Sequence, residues 1–579
     1  MEARARRTAL LAAAIGIVVA GVYLPTLRAG LVWDDTTYVL AQGGRHLAGA
    51  LTGDLIAGSN PAHGPVGYYR PVPVATFWLA SRISPEPAAH HALGVIFHGL
   101  AAALLFLLLL QRLGPGGEAP AAVGALAWAL HPANVEPVAW VSGRYDLLAG
   151  LHAIAFLALP WRPGARRAAA YGLLFLLGLL SKEGFLALAP VVLVDDLASR
   201  RTVREAWPRW VAVGLAIAVW AGLRGALGIA AVAPAPLASL PGHLLSTVTT
   251  YLLRALAPLP LTVSHGYAAG SAATLAAGGA VVAALGALAL RHRSLAVPCV
   301  LFLAGMVPVA MAAGRLGQVP DRYLFFPSLG LAWLLAAGLQ ALASRRPVAG
   351  RMAMAAAALV VAAGAVASAR RLPDWVSDDT LFSAALRVDP NDPLGNLYFG
   401  LAAGRAGRLD EARRTLERGR EGDPGSVRIA GALAWVHLRR GDGPAALAEA
   451  RRAVALAPSF PEARLHLANA LHLAGDHRGE LDEATRALAL SPRYREARIV
   501  HAFARCELER EPACEAELDA LEGDGSLTGA DALAARVEAA LARRDLAAAG
   551  ERLARLRGAY PGDRRVPQLE RAAAAQRPR

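Results

Sequence analysis

The chain has 579 residues, a mass of 60.3 kDa, a formal net charge of +14 and a mean hydropathy of +0.38. That apolar balance excludes a disordered chain and an ordinary water-soluble enzyme. Three cysteines, Cys299, Cys506 and Cys514, exclude a disulfide scaffold or a cysteine-rich metal fold, and Cys506 and Cys514 read as incidental.

The charge is unevenly placed. Residues 1–370 hold 27 basic and 13 acidic side chains, so the whole +14 lies there, while residues 371–579 hold 32 of each. A nucleic-acid binder would carry its excess on a soluble basic face, so no nucleic-acid partner is expected. Loops that set membrane orientation account for the excess better. Lys182 is the single lysine. Such a bias toward arginine points to a bacterial source, hence to a bacterial inner membrane.

The first apolar run, residues 8–26, follows Arg4, Arg6 and Arg7 and reads as an uncleaved first span. Further spans are expected at about 91–111, 119–131, 146–161, 168–182, 184–198, 209–230, 271–290, 295–313, 325–343 and 350–368. Basic clusters lie at 4–7, 162–167, 200–209, 291–293 and 345–351. With all of them cytoplasmic, eleven spans alternate consistently, the N-terminus inside and residue 370 outside. Residues 243–262 contain Arg254, Pro258 and Pro260 and read as a re-entrant or interfacial element. A twelfth span is the alternative. This topology puts a long loop, 27–90, outside, together with the turns 131–146, 181–184 and 314–325.

Those outer segments hold the chemistry. Ionisable groups at membrane depth are costly and usually functional. On the cytoplasmic side Glu2, Glu118, Asp195, Asp196 and Glu205 read as ordinary loop charges. Outside, Asp34 and Asp35 follow the first span in LVWDDTTYV. Adjacent carboxylates divide labour as base and orienter, or hold a divalent cation; the plainer reading is a helix cap or solvated turn. LHPANVEPVAWVSGRYDLLAG gathers His131, Glu136, Arg144 and Asp146 around Trp140. LLSKEG sets Lys182 beside Glu183, and VPDRYLFFPSLGL sets Asp321, Arg322 and Tyr323 at a span start. With Arg70 in YYRP, Arg224 and Arg254, these cations suit a phosphate at the membrane surface, with Arg322 the foremost candidate. The plainer readings are an interfacial loop, an Arg144–Asp146 pair and a snorkelling Lys182.

The second part repeats. Pro390, Pro424, Pro458 and Pro492 are each 34 residues apart, the tetratricopeptide period. Leu433, Ala434, Ala446 and Ala453 fit the unit ending at Pro458; Leu467, Ala468, Ala484 and Ala487 fit the next. Small residues stand where two helices cross closely. Such repeats commonly hold a peptide on their concave face.

Taken in order, WDD, YYRPV, HHALGVIFHGLAAALLFLLL, LHPANVEPVAWVSGRYDLLA, LLSKEGFLALAP and DRYLFFPSLGLA, joined to 34-residue repeats, resemble the TMTC family. These are tetratricopeptide-containing membrane proteins of the GT-C glycosyltransferase class, and the resemblance covers about residues 8–500. It implies a transferase that uses a polyprenyl-phosphate sugar outside the cytoplasm, with an acid of the first outer loop as base, which maps to Asp34 or Asp35. The expectation is an all-α protein: a polytopic helical domain over 1–370, then a tetratricopeptide α-solenoid over 371–579. Its partners would be the lipid-linked sugar, a Ser or Thr hydroxyl of an acceptor protein held by the repeats, and the bilayer. The cofactor is left open, with a divalent cation on Asp34 and Asp35 as one alternative. Two rival classes are a non-catalytic repeat scaffold and a transporter or flippase. No internal symmetry supports the last.

Overall fold

A computed structural model describes residues 2–36, 39, 48, 51–52, 67–229, 236–258, 260–263, 267, 270–316, 319–492, 494–508, 513–523, 527–560, 563 and 565–576. Among these residues the chain is helical throughout, with no strand. Within the expected outer loop, residues 37–38, 40–47, 49–50 and 53–66 lie outside the described residues. The chain separates into two compact units, divided between Gly395 and Asn396.

In the first unit α1 (Glu2–Tyr23) packs along α3 (Pro87–Leu113), after the short α2 (Pro71–Ile83). The crossing is close: a Cβ on Gly16 would sit 2.9 Å from the Gly99 carbonyl oxygen, and one on Gly99 2.8 Å from that of Gly16. Side chains larger than hydrogen would push the two backbones apart. Next come α4 (Glu118–Ala129), α5 (Val135–Ala139), α6 (Arg144–Ala158), α7 (Ala165–Leu179), α8 (Ala189–Ala198) and α9 (Val203–Ala226). A Thr202–Glu205 capping box starts α9. The unit continues with α10 (Leu240–Leu256), α11 (Ala272–Arg291), α12 (Arg293–Leu316), α13 (Ser328–Arg345), α14 (Pro347–Arg371) and α15 (Asp378–Val388).

Each of the eleven apolar runs coincides with one of these helices. Among the described residues six stretches, 2–28, 87–113, 203–226, 272–291, 293–315 and 347–375, are long and apolar enough to cross a membrane. The others are shorter. At 15 residues, α6 and α7 rise about 22 Å, against a hydrocarbon core of about 30 Å. Short 3-10 turns at Pro132–Asn134, Glu183–Leu188 and Asp321–Leu324 bend the chain at the ends of such helices. These bends bring the motif residues inward.

Asp195 and Asp196 are not solvated loop charges. Both are buried, and Arg209 pairs with each at 2.8 Å. Arg112 reaches Asp195 at 2.6 Å, and the Trp210 indole donates to Asp196 at 2.8 Å. The network ties α3, α8 and the start of α9. Sequence separation hid it, because Arg209 comes within reach only after the chain reverses at Arg200, which takes a left-handed φ of 54°.

The second unit is built of antiparallel helix pairs: α16 (Pro393–Arg405) with α17 (Leu409–Gly422), α18 (Val427–Arg440) with α19 (Gly443–Leu456), and α20 (Pro461–Leu473) with α21 (His477–Leu490). Then follow α22 (Arg495–Leu508), α23 (Ala513–Gly523), α24 (Gly529–Ala542), α25 (Leu546–Ala559) and α26 (Val566–Ala575). A second period accompanies the prolines. Gly407, Gly441 and Gly475 close the first helix of each pair at φ of 81°, 74° and 75°. Asp442 and Asp476 then cap the second helix. Cys506 is disulfide-bonded rather than incidental.

In the α24–α25 turn the left-handed position falls on Arg544, at φ 58°, followed by the capping Asp545. An exposed arginine there carries the strain that glycine avoids. Arg544→Gly should therefore stabilise the second unit by about 0.5–1 kcal/mol, read as a higher denaturant midpoint. An unchanged or lower midpoint would contradict this account of the turn.

Candidate active site

The site begins where α1 ends. Trp33 sits at φ 55°, a conformation that costs a bulky residue about 1–3 kcal/mol. Its backbone N–H donates to Asp378 at 2.7 Å, and its ring stacks on Trp140, centroids 4.8 Å apart. This twist separates the two acids that follow. Asp34 is left half-buried, whereas Asp35 is fully buried. The Asp35 carboxylate accepts three backbone N–H groups: Ser142 at 2.7 Å, Val32 at 3.2 Å and Val141 at 3.3 Å. Burial pushes its pKa up to about 7, against the hydrogen bonds from Ser142 and Val32, which lower it. The three donors occupy the faces that a cation would use, so Asp35 serves as an anchor for the 140–143 turn and is a poor metal ligand.

Behind that turn lies a buried ion pair. Arg322 contacts Glu136 at 2.5 Å through Nη1 and donates its backbone N–H to Glu136 at 2.9 Å. The guanidinium also lies 5.0 Å from the Trp140 ring centre, 5.6 Å from Trp33 and 5.1 Å from Tyr323. Burial pushes the Glu136 pKa up, against the pull of Arg322. Arg322 is thus held in an aromatic box beside Trp33.

A cavity of about 160 Å³ gathers five of the expected residues: Arg70, Asp146, Lys182, Glu183 and Tyr323. Its cations are both partnered. Arg70 forms two hydrogen bonds to Glu183, at 2.9 and 3.0 Å, between the rings of Tyr68 and Tyr145. Lys182 pairs with Asp146 Oδ1 and sits 5.2 Å from the centre of the Tyr323 ring. The buried Asp146 Oδ2 has no hydrogen-bond partner among the described residues. The cavity is also lined by the apolar Phe185, Pro308, Val309 and Phe326.

Like Asp34, Asp35, Glu136 and Arg322, two more expected residues stand apart from the cavity lining. His131 accepts from the Ala133 N–H through Nδ1 and donates from Nε2 to Ala255 at 3.2 Å, a turn-capping role. Arg144 is buried on Phe77 and donates to the His90 carbonyl at 2.5 Å and to the Thr76 hydroxyl at 3.2 Å. The expected Arg144–Asp146 pair is replaced by these contacts, because positions two apart on a helix point about 200° away from each other. Tyr68 and Tyr145 went unrecognised in the sequence. The available signal was a tyrosine adjacent to an arginine in YYRP and GRYD.

Comparison with known proteins follows this geometry. Residues 397–461 and 431–495 match the tetratricopeptide repeat family. The chain is 38% identical over 132 residues to the protein O-mannosyl-transferase Tmtc1 of Drosophila melanogaster, a stretch of 22% of this chain and 15% of that relative. It is 27% identical over 206 residues to the protein O-mannosyl-transferase F38B6.6 of Caenorhabditis elegans, covering 34% and 29%. The resemblance to the TMTC family holds. The similarity spans less than a third of each of these two relatives' own length. Among solved structures, a thermophilic tetratricopeptide protein of Thermus thermophilus aligns at 20% identity and a TM-score of 0.26, over 32% of this chain and 98% of that one.

Two expectations follow for this site. In Asp35→Asn an amide replaces one accepting oxygen, which leaves buried N–H groups unsatisfied at a cost of about 2–4 kcal/mol. Folded Asp35 keeps its proton to about pH 7, whereas an unfolded aspartate loses it near pH ~4. The native state therefore binds more protons in between, and stability falls as pH rises through that window. Melting temperatures from pH 4.5 to 7.5 should show this slope in the wild type and a flatter one in Asp35→Asn. Separately, Glu136→Ala strands a buried guanidinium and should cost about 3–5 kcal/mol, measurable as a lower melting temperature in detergent. A loss under 1 kcal/mol would mean that the pair is solvated.

Proposed function

We propose that the chain is a membrane glycosyltransferase. It would transfer a sugar from a polyprenyl-phosphate donor to a Ser or Thr hydroxyl of a protein, on the extracytoplasmic side, with inversion. The observation that carries this reading is the mixed lining of the cavity, Arg70 and Lys182 with their acids together with apolar side chains from α12 and the 185 and 326 turns. A lipid phosphate offers the same two chemistries. The protein O-mannosyl-transferase relatives favour mannose as the first sugar to test.

Asp34 is the base in this mechanism. Its oxygen takes the acceptor hydroxyl proton as that oxygen attacks the anomeric carbon through an oxocarbenium-like state. The glycosidic C–O bond breaks toward the phosphate, which leaves with the electron pair. Lys182 and Arg70 neutralise the charge that develops there. Asp35 orients Asp34 by fixing the turn around both. The disulfide at Cys506 supports repeats on an oxidising side, with the N-terminus cytoplasmic and, on the arginine bias, a bacterial cell membrane. A groove of about 80 Å³ in the second unit, lined by Leu401, Arg428, Phe460 and His466, supports a role for the repeats in holding the acceptor.

The test is a transfer assay on the full-length protein with a panel of polyprenyl-phosphate sugars and a Ser/Thr peptide. Wild type should use at least one donor. Asp34→Asn should keep its melting temperature and lose about 10²–10⁴-fold in kcat, while Lys182→Gln should raise the donor KM. Transfer at the normal rate by Asp34→Asn would remove it as base. Failure of the wild type with every donor would favour the repeat scaffold.

A further inference from the structure

We propose that the second unit binds one divalent transition-metal ion of the zinc class between His472, His477, Glu480 and Glu507. The fold assembles this group from three helices. His472 is in the last turn of α20, and the left-handed Gly475 reverses the chain within a few residues. Asp476 then caps α21, accepting the Gly479 N–H at 2.9 Å. His477 opens α21 and Glu480 lies three residues on, so both face the same side. Glu507, in the last turn of α22, closes the group from the next repeat.

One ligand atom from each residue converges on a single point, all within 4.8 Å of one another. His472 Nδ1 is 2.9 Å from Glu480 and 3.6 Å from Glu507; His477 Nδ1 is 3.4 Å from Glu480 and 2.6 Å from Glu507. Nitrogens and oxygens therefore alternate around the centre. A tetrahedral ion with bonds of about 2.0–2.1 Å needs ligand atoms about 3.3 Å apart; the four nitrogen–oxygen distances bracket that value, and the other two pairs lie within 4.8 Å.

A second observation points the same way. The Oε2 of Glu507 is buried and receives no hydrogen bond from the described residues, although two imidazole nitrogens lie beside it. Glu538 adds to the negative field at His472. Two imidazoles with carboxylates suit zinc better than the all-oxygen sets of calcium or magnesium. The His472 and His477 side chains are 50% and 35% exposed, which gives an ion a way in from solvent. Bound there, the ion would cross-link the α20–α21 pair to α22, and its binding energy would add to the stability of the repeats.

The alternative is a plain network of imidazolium–carboxylate pairs, and zinc itself separates the two. Tag-free full-length protein is stripped with a chelator, loaded with zinc, passed through gel filtration and analysed for metal. One zinc per chain is expected, together with a higher melting temperature and, with cobalt, the intense visible absorption of four-coordinate nitrogen–oxygen sites. His472→Ala with His477→Ala should weaken binding at least about 100-fold. The nearly isosteric Glu507→Gln should do so too, and it keeps the test open where the double variant fails to fold. Zinc lost on gel filtration, or retained equally by Glu507→Gln, would overturn the proposal and leave the ion-pair network.

Discussion

The arrangement of the first unit depends on one buried carboxylate. Asp35 gathers N–H groups from two segments more than a hundred residues apart, and its bonds join the exit of α1 directly to the 140–143 turn. Everything placed by that turn follows from it. Trp140 meets Trp33, Arg322 finds its aromatic box, and α6 starts where Asp146 can face Lys182. Trp33 accepts a strained backbone so that two neighbouring acids point to different surroundings. A flexible residue would relax the strain and lose the division.

A low-dielectric site full of charge is stable only if it is close to neutral by itself. Here three of the cations each face an acid: Arg70 with Glu183, Lys182 with Asp146 and Arg322 with Glu136. Under the proposed function an incoming phosphate would compete with those residents rather than fill an empty positive hole, which would favour a ligand able to displace one partner.

Much of this was legible in the sequence, for stated reasons. Apolar runs report burial, so the positions of the helices could be read directly. Proline every 34 residues reports the repeat, and the structure adds the glycine and aspartate that share its period. Motif residues in five separate segments were expected near one surface, and the cavity unites Arg70, Asp146, Lys182, Glu183 and Tyr323. Partner choice was not legible. Arg144 and Asp146 look paired in sequence, yet the helix turns them apart, and Arg322 lies inside a box rather than on the cavity wall. Likewise Asp195 and Asp196 look like surface charges until Arg209 folds over them. Such pairings are decided by long-range packing, on which local spacing is silent.

Glu183 has one more neighbour. Arg224, near the end of the long apolar helix α9, lies 3.8 Å from its carboxylate and donates to the Gly67 carbonyl at 3.0 Å. In a bilayer, a helix of this length adjusts its tilt to the thickness of the hydrocarbon layer. Any such tilt moves Arg224 at the lever's end, and with it the acid that holds Arg70. Through these contacts a change in the tilt of α9 would be felt at the cavity, so membrane thickness would become a variable of the site and not merely its setting.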